Sequence, residues 1–314
     1  MEIEIAKTLE LDEAQERLLS MHSVYNVLTV ILNQVSQVGA LAGDFRLIAP
    51  VAEVLQELRQ GLADNAATLT QLRRVREIRA AIVGTLATLA PVIPAAQVDR
   101  YQRHLDNLES VFNIVEVRAV ELLERADDPQ RWEVFTVERL ATNLRHVFAA
   151  IAQNSFGRYR VVFSAEGRAP DTYLMDFQFE ALDGRRIHMP SVFEDVIRDL
   201  AANGRKYSDP GRTVTVRMVE TEATLRLEVT DDGWGIPEAE IADVVDFGRR
   251  ASNVGDREQP GAGFGLTKAY AVTRIFGGRM WIRSAPGEGT RVTVEIPRRA
   301  PTTKYRVRSS TLDG

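Results

Sequence analysis

Apolar residues recur through the first third of the chain at alternating steps of three and four. Leu11, Ala14, Leu18, Met21, Tyr25, Leu28, Leu32 and Val35 form one such seam, which predicts a coiled-coil or bundle helix. That helix should stop near Gly39 to Gly43, with Asp44 placed to cap the next turn of chain. A second helical stretch begins after Pro50, at a first-turn position, and runs on through Leu89. Gly61 to Asn65 break or bend it, and Pro91 and Pro94 end it. A third helix, from about Gln97 to Ala126, carries the seam Val98, Tyr101, Leu105, Leu108, Phe112, Val115, Ala119 and Leu122. Stripes of this kind must be buried against partners, so an antiparallel bundle is expected, and homodimerisation through it is plausible.

After Asp127-Asp128-Pro129 the period changes. Phe135 to Val137 reads as a short strand, Glu138 to Gln153 as a helix, and Tyr159 to Ser164 as a strand. Thr172 to Ala181 and Arg186 to Met189 flank Asp183-Gly184 and read as a hairpin. Thr213 to Val219 and Thr224 to Thr230 alternate around a polar turn. Thr267 to Phe276 reads as a helix ended by Gly277-Gly278. Arg279 to Ser284 and Thr290 to Ile296 are strands joined by Pro286-Gly287-Glu288-Gly289. Antiparallel strands with grouped helices predict an α+β sandwich rather than a doubly wound sheet. The expected organisation is a helical domain over 1–127, an α+β domain over 128–298, and a polar, basic, disordered tail over 299–314.

Composition narrows the function classes. Hydrophobic residues make up 45% of the chain and charged residues 26%, a globular profile, and the net charge of −5 gives no basic excess for nucleic acid. With no cysteine, disulfides, zinc–thiolate sites and cysteine nucleophiles are excluded. The start, Met1-Glu2-Ile3-Glu4, lacks a signal peptide's basic and apolar regions, and no apolar run approaches ~18 residues, so no membrane span and a cytoplasmic location are expected.

The chemistry is concentrated between Ser191 and Pro297. One box, Phe193 to Ser208, places Asn203, Lys206 and Tyr207 at the end of a helix. Asp231-Asp232-Gly233-Trp234-Gly235-Ile236-Pro237 comes after a strand, and Gly261-Ala262-Gly263-Phe264-Gly265-Leu266 precedes a helix. None is a Walker loop or a dinucleotide fingerprint. In this order the boxes resemble the Bergerat-type ATP site of the GHKL superfamily, which includes histidine kinases, DNA gyrase, mismatch-repair ATPases and certain chaperones. They are most similar to the catalytic domain of bacterial sensor histidine kinases. Val244 to Arg249 resembles that family's phenylalanine box, Arg274 to Trp281 its helix–GG–strand passage, and Ser284 to Pro297 its closing hairpin.

The resemblance implies roles. Asn203 would direct its amide oxygen at Mg²⁺, a cation that prefers oxygen ligands, and Lys206 would meet phosphate oxygens of ATP. Tyr207 would line the nucleotide, while Arg205 would face solvent. Asp231 would accept a hydrogen bond from the adenine amino group, with Gly233 and Gly235 letting the backbone pass close to the base. Residues 246–262 would form a lid. Asn253, Gly255, Asp256, Gly261 and Gly263 mark it as a mobile loop that closes over phosphates, and Gly261, Gly263, Phe264, Gly265 and Leu266 would bind the nucleotide, with backbone N–H groups of Gly263 and Gly265 facing the anion. Asp199 departs from the family: many relatives have asparagine there, and an acidic residue resembles the water-activating position of hydrolytic relatives.

On helix position alone, His22 reads as an ordinary surface histidine, on a polar face with Asn26, Thr29 and Asn33, and His104 as a packing residue. Met21 to Leu28 resembles the H-x-V-x-N-x-L phosphoacceptor helix of one histidine-kinase subclass, which favours His22 as the acceptor, with His104 second. The expected function is a two-component histidine kinase, forming a homodimer and passing phosphate to an aspartate of a response-regulator receiver protein. The alternatives are a histidine phosphotransfer or scaffold protein with a vestigial ATP fold, and a GHKL ATPase or anti-sigma-type serine kinase.

Overall fold

The computed structural model describes residues 2–61, 65–153, 155, 157–254 and 263–299. The chain folds as two compact units: Asp12–Pro129 forms one, and Met1–Leu11 joins Gln130–Gly314 in the other.

The helical unit opens with α1 (Glu13–Ala42), whose first turn is closed by a capping box: Asp12 accepts from the Gln15 backbone N–H at 2.8 Å and Gln15 accepts from that of Asp12 at 3.2 Å. Gly43, at φ 72°, ends the helix in the left-handed region. Asp44 caps the short 3₁₀ turn Phe45–Ile48. The stretch expected to run from Pro50 to Leu89 is three helices, α2 (Ala49–Gly61), α3 (Asn65–Arg73) and α4 (Val75–Ala87), after which comes α5 (Val98–Asp127). Tyr101, Leu105, Leu108, Phe112, Val115, Ala119 and Leu122 of the α5 seam are buried as the spacing predicts, while Val98 is exposed.

The α1 seam keeps Leu28 and Val35 of the predicted one but replaces their alternating partners. Val24, Leu28, Ile31, Val35 and Val38 are buried, whereas Leu18 and Tyr25 are 42% and 37% exposed. Both seams repeat by heptads, because apolar residues stand side by side at Val24/Tyr25 and Ile31/Leu32. The β-branched residues, stiff at χ1, take the core, and Tyr25 turns out to Arg59, whose guanidinium lies 4.7 Å from the ring centroid.

In the other unit the α+β expectation holds. Seven strands run in the order β1-β8-β9-β7-β6-β4-β3: β1 (Glu2–Ile5), β3 (Arg160–Val162), β4 (Thr172–Glu180), β6 (Thr213–Glu220), β7 (Thr224–Asp231), β8 (Arg279–Ala285) and β9 (Gly289–Pro297). Alternate residues of the central strands, such as Val214, Val216 and Met218, or Leu225, Leu227 and Val229, share one core with α6 (Val137–Gln153), α7 (Phe193–Lys206) and α8 (Gly265–Ile275). β3, β4 and β6 are parallel to one another and the remaining pairs antiparallel.

Two sequence expectations are corrected. β4 and β5 (Arg186–Pro190) do not form a hairpin. β5 pairs instead with β2 (Trp132–Thr136) in a separate ribbon, and β4 runs alongside β6. The turn itself is local chemistry that reads correctly: Gly184 has φ 72° and Asp183 accepts from the backbone N–H of Arg185 and Arg186. Its strands separate because Ile187 to Pro190 are buried consecutively, which suits a strand covered on both faces.

The second correction concerns residues 1–11, expected with the helices. Glu2–Ile5 is an edge strand antiparallel to β8, Ile5 joins the sheet's core, and the Tyr270 hydroxyl donates to the Lys7 carbonyl at 2.5 Å. Lys7 Nζ lies 2.7 Å from Asp246 and 3.4 Å from Asp243. Ile5→Ala should therefore destabilise the sheet unit by about 2–4 kcal/mol. All three tryptophans lie in that unit, so urea unfolding monitored by their fluorescence will report the loss.

Candidate functional site

A cleft of about 730 Å³, open mouth included, lies between α7, α8 and the ends of β7 and β9, within the range of small-molecule sites. Its polar end is Asp231, the last residue of β7. The chain bends there through backbone that tolerates no side chain: a Cβ on Gly233 would meet the Tyr207 carbonyl oxygen at 2.4 Å, and one on Gly235, at φ 68°, the Ala285 carbonyl oxygen at 1.9 Å. This close approach lets the Gly233 N–H donate to Asp231 Oδ1 at 2.9 Å. Burial nonetheless dominates, raising the Asp231 carboxyl to about 7 against the opposing backbone donors Gly233 and Thr290. Ile236, Val244, Val229 and Val292 supply apolar walls for a flat base beside it.

At the far end, α7 brings Asn203 against the start of α8. A Cβ on Gly265 would lie 2.5 Å from Asn203 Nδ2, so only glycine lets the amide sit at that helix N-terminus. The Tyr207 backbone N–H closes α7 on the Asn203 carbonyl at 2.9 Å, and Tyr207 lines the cleft. Lys206 Nζ stands 4.9 Å from the Tyr207 ring centroid, and burial, then Arg250 and Arg205, pull its ammonium down to about 8. Cationic groups thus gather where the N–H groups of the first turn of α8 open, an arrangement suited to anions.

Among the expected residues, Asn203, Tyr207, Asp231, Gly235, Gly263, Gly265 and Leu266 line the cleft. Gly233 and Lys206 stand behind that lining. Phe264 stacks on Phe247 with ring centroids 4.4 Å apart, at the root of the predicted lid. Gly261, and the lid's Gly255 and Asp256, lie outside the described residues, as does the tail beyond 299. Asp199 stands one turn before Asn203 on α7, with Oδ2 3.3 Å from Lys268 Nζ. Arg205, expected in solvent, covers the Tyr159 ring at 4.1 Å. Sequence reading placed Arg249 at the end of the phenylalanine box and gave neither it nor Arg250 a role, yet both line the cleft. Two arginines directly after Phe247-Gly248 were the available signal.

The histidines of the helical unit are separable by burial. His104 is 2% exposed, with Nδ1 2.7 Å from Gln34 Oε1, and burial lowers its pKa. His22 is partly exposed on α1, and the Asn26 amide donates to its Nε2 at 3.0 Å.

The chemistry of the donor set was tested for a divalent cation. Among the described residues no cluster of three or more His, Cys, Asp or Glu could hold one by itself. Asn203 offers one amide oxygen beside an anion-binding helix start, the partial shell that a cation bridging to phosphate oxygens completes, so the site fits Mg²⁺ carried with a nucleotide.

Residues 190–300 match the family described as histidine kinase-, DNA gyrase B-, and HSP90-like ATPase. The chain is 34% identical over 104 residues to the sensor histidine kinase WalK of Bacillus subtilis, covering 32% of this chain and 17% of that protein. It is 32% identical over 116 residues to the adaptive-response sensory kinase SasA of Prochlorococcus marinus, covering 35% and 30%. It is 25% identical over 188 residues to the sensor protein EvgS of Escherichia coli O157:H7, covering 59% and 14%. The chain therefore spans less than a third of the length of these relatives. Among solved structures, a mycobacterial sensor histidine kinase, MprB, superposes with a TM-score of 0.39 at 19% identity, covering 53% of this chain and 97% of that one.

Two outcomes test the site. Because the fold holds the Asp231 pKa near 7, above the unfolded 3.8, ionisation opposes folding increasingly as pH rises from about 4 to about 7. Asp231→Asn should raise stability at pH 8 by about 4 kcal/mol and lose the gain as pH falls toward about 4. Gly265→Ala should weaken Mg-ATP binding, read by calorimetry, about tenfold or more, because the added methyl displaces Asn203.

Proposed function

We propose that this chain, which belongs through residues 190–300 to the histidine kinase-, DNA gyrase B- and HSP90-like ATPase family, is a two-component histidine kinase. It transfers the γ-phosphoryl group of ATP to its own His22, and from there to an aspartate of a separate receiver protein. One observation carries this reading: a single cleft joins a buried carboxylate for the adenine amino group to an asparagine held at a helix N-terminus for the phosphate end.

In this reading Asp231 accepts from the adenine amino group, and its position between β7 and the glycine turn selects a base with a donor at that edge. Lys206, Arg249 and Arg250 meet the phosphate chain, and the α8 N–H groups receive the anion. Mg²⁺, held by Asn203 and phosphate oxygens, would neutralise charge on the triphosphate. Phosphoryl transfer then asks the protein mainly to position the reactants and to exclude water. With the neutral ring's proton on Nδ1, the Nε2 lone pair of His22, which accepts from the Asn26 amide in the resting structure, becomes the nucleophile once that amide turns away. That lone pair forms the N–P bond as the bond from phosphorus to the ADP oxygen breaks. His104, buried on Gln34, is unsuited to the acceptor role.

The helical unit serves dimerisation and carries the acceptor, and the protein works in the cytoplasm. No described helix is long and apolar enough to cross a membrane.

Incubation with γ-labelled Mg-ATP should give an acid-labile, alkali-stable phosphoprotein mapped to His22 by mass spectrometry. His22→Ala should abolish the label while leaving nucleotide affinity intact. Asn203→Ala should reduce it ~100-fold or more. Label persisting in His22→Ala would sink the acceptor assignment. Nucleotide affinity should also be bell-shaped in pH, falling below about 7 as Asp231 protonates and above about 8 as Lys206 loses its charge.

A further inference from the structure

Asp195, Asp199 and Asn203 succeed one another at one-turn intervals on a single face of α7. Opposite them on α8, one turn past Gly265, is Lys268. Its Nζ is 3.3 Å from Asp195 Oδ2 and 3.3 Å from Asp199 Oδ2. Arg198 reaches the other oxygen of Asp195. The Lys268 and Asp195 side chains are 5% and 1% exposed, and that of Asp199 is 19% exposed. Lys268 thus donates a hydrogen bond to Asp195 and makes an ion-pair contact with Asp199 in a nearly dry contact between the helix that carries Asn203 and the helix that begins at Gly265.

Lys268 belongs to no motif of the pocket, and a buried ammonium is not placed by chance, because it loses its hydration unless its charges are matched. The placement has a chemical consequence. A carboxylate one turn from Asn203 is poised for general-base chemistry. A water oxygen would attack the γ-phosphorus, its proton would pass to Asp199, and the bond from phosphorus to the ADP oxygen would break, releasing ADP and inorganic phosphate. Asp199 can accept that proton, on either oxygen, only by losing the charge that faces Lys268. Doing so leaves the buried ammonium facing one charged carboxylate, a step that low polarity makes expensive.

We propose that Lys268 is a positioning residue that withholds Asp199 from water, so that the pocket transfers the γ-phosphoryl group to a protein acceptor rather than hydrolysing ATP. The proposal rests on the reading of the cleft as an ATP site. It adds to that reading a determinant of reaction specificity located on α8, outside the nucleotide's own contacts.

The test compares inorganic phosphate release and phosphohistidine formation by the full chain, with Mg-ATP affinity measured in parallel. Lys268→Met, close in volume and without charge, should raise phosphate release ~10-fold or more. Lys268→Met combined with Asp199→Asn should return it to the wild-type level. Lys268→Arg, which keeps the ion pairs, should stay at that level, an outcome that a purely structural lysine would not separate from Lys268→Met. The proposal is overturned if Lys268→Met binds Mg-ATP without faster release, if the rise survives Asp199→Asn, or if Asp199→Asn alone abolishes wild-type release. That last arm decides the matter even if Lys268→Met fails to fold. Absence of Mg-ATP binding by the wild-type chain would instead count against the ATP-site reading itself.

Discussion

A half-buried carboxylate at the end of a central strand, backed by close-packed backbone, constrains everything around the cleft. Asp231 is the last β7 residue, paired in register with Thr290, and three stretches of chain close over it. Gly233 and Gly235 carry the bend, and Gly289 meets the Asp231 carbonyl so closely that a Cβ would lie 2.0 Å from its oxygen. The turn Pro286 to Glu288 is in turn tied to the bend by the Gly287 N–H on the Trp234 carbonyl. Removing water from the ionised Asp231 costs stability that the Gly233 and Thr290 N–H groups only partly offset, and a ligand that donates to it recovers more. Binding specificity and marginal stability therefore share one atom pair.

The same economy holds at the phosphate end. Asn203, Gly265, Asp199 and Lys268 form successive rungs between α7 and α8, so the register of two helices fixes both the cation-binding amide and the first turn that receives the anion. A shift of one helix along the other by a single residue would rotate its side chains by about 100° and misplace all four.

Much of this was legible in the sequence where local chemistry decides the outcome. Glycines at forced close approaches, Asn203 at a helix end, the Asp12, Asp44 and Asp183 caps, and the β6–β7 and β8–β9 hairpins are each specified within a few residues. What escaped depends on distant partners. Strand pairing separated β4 from β5 although their turn was read correctly, because pairing is settled by the core that each strand enters. The phase of α1 was ambiguous because two adjacent apolar columns satisfy the same period, and only α2 to α5 choose between them. Glu2 to Ile5 alternates as a strand should, but four residues without a neighbouring turn carry little signal. Lys268 was invisible because its partners lie 73 and 69 positions upstream. Arg250 stood beside a recognised box without a spacing that marked it.

The first strand changes what kind of object the helical unit is. Since residues 2–11 fold with the described residues beyond Gln130, the helical stretch between them interrupts the sheet unit in sequence rather than following it. Both of its ends are moored, one through Ile5 and Lys7 and the other through β2. The mooring at the head is an edge strand of four residues on a sheet of seven, the least expensive rung to detach. Detaching it would uncover Ile5, break the Lys7 contacts to Asp243 and Asp246, and release the Tyr270 hydroxyl on α8, so the head of the chain is a structural part of the sheet unit.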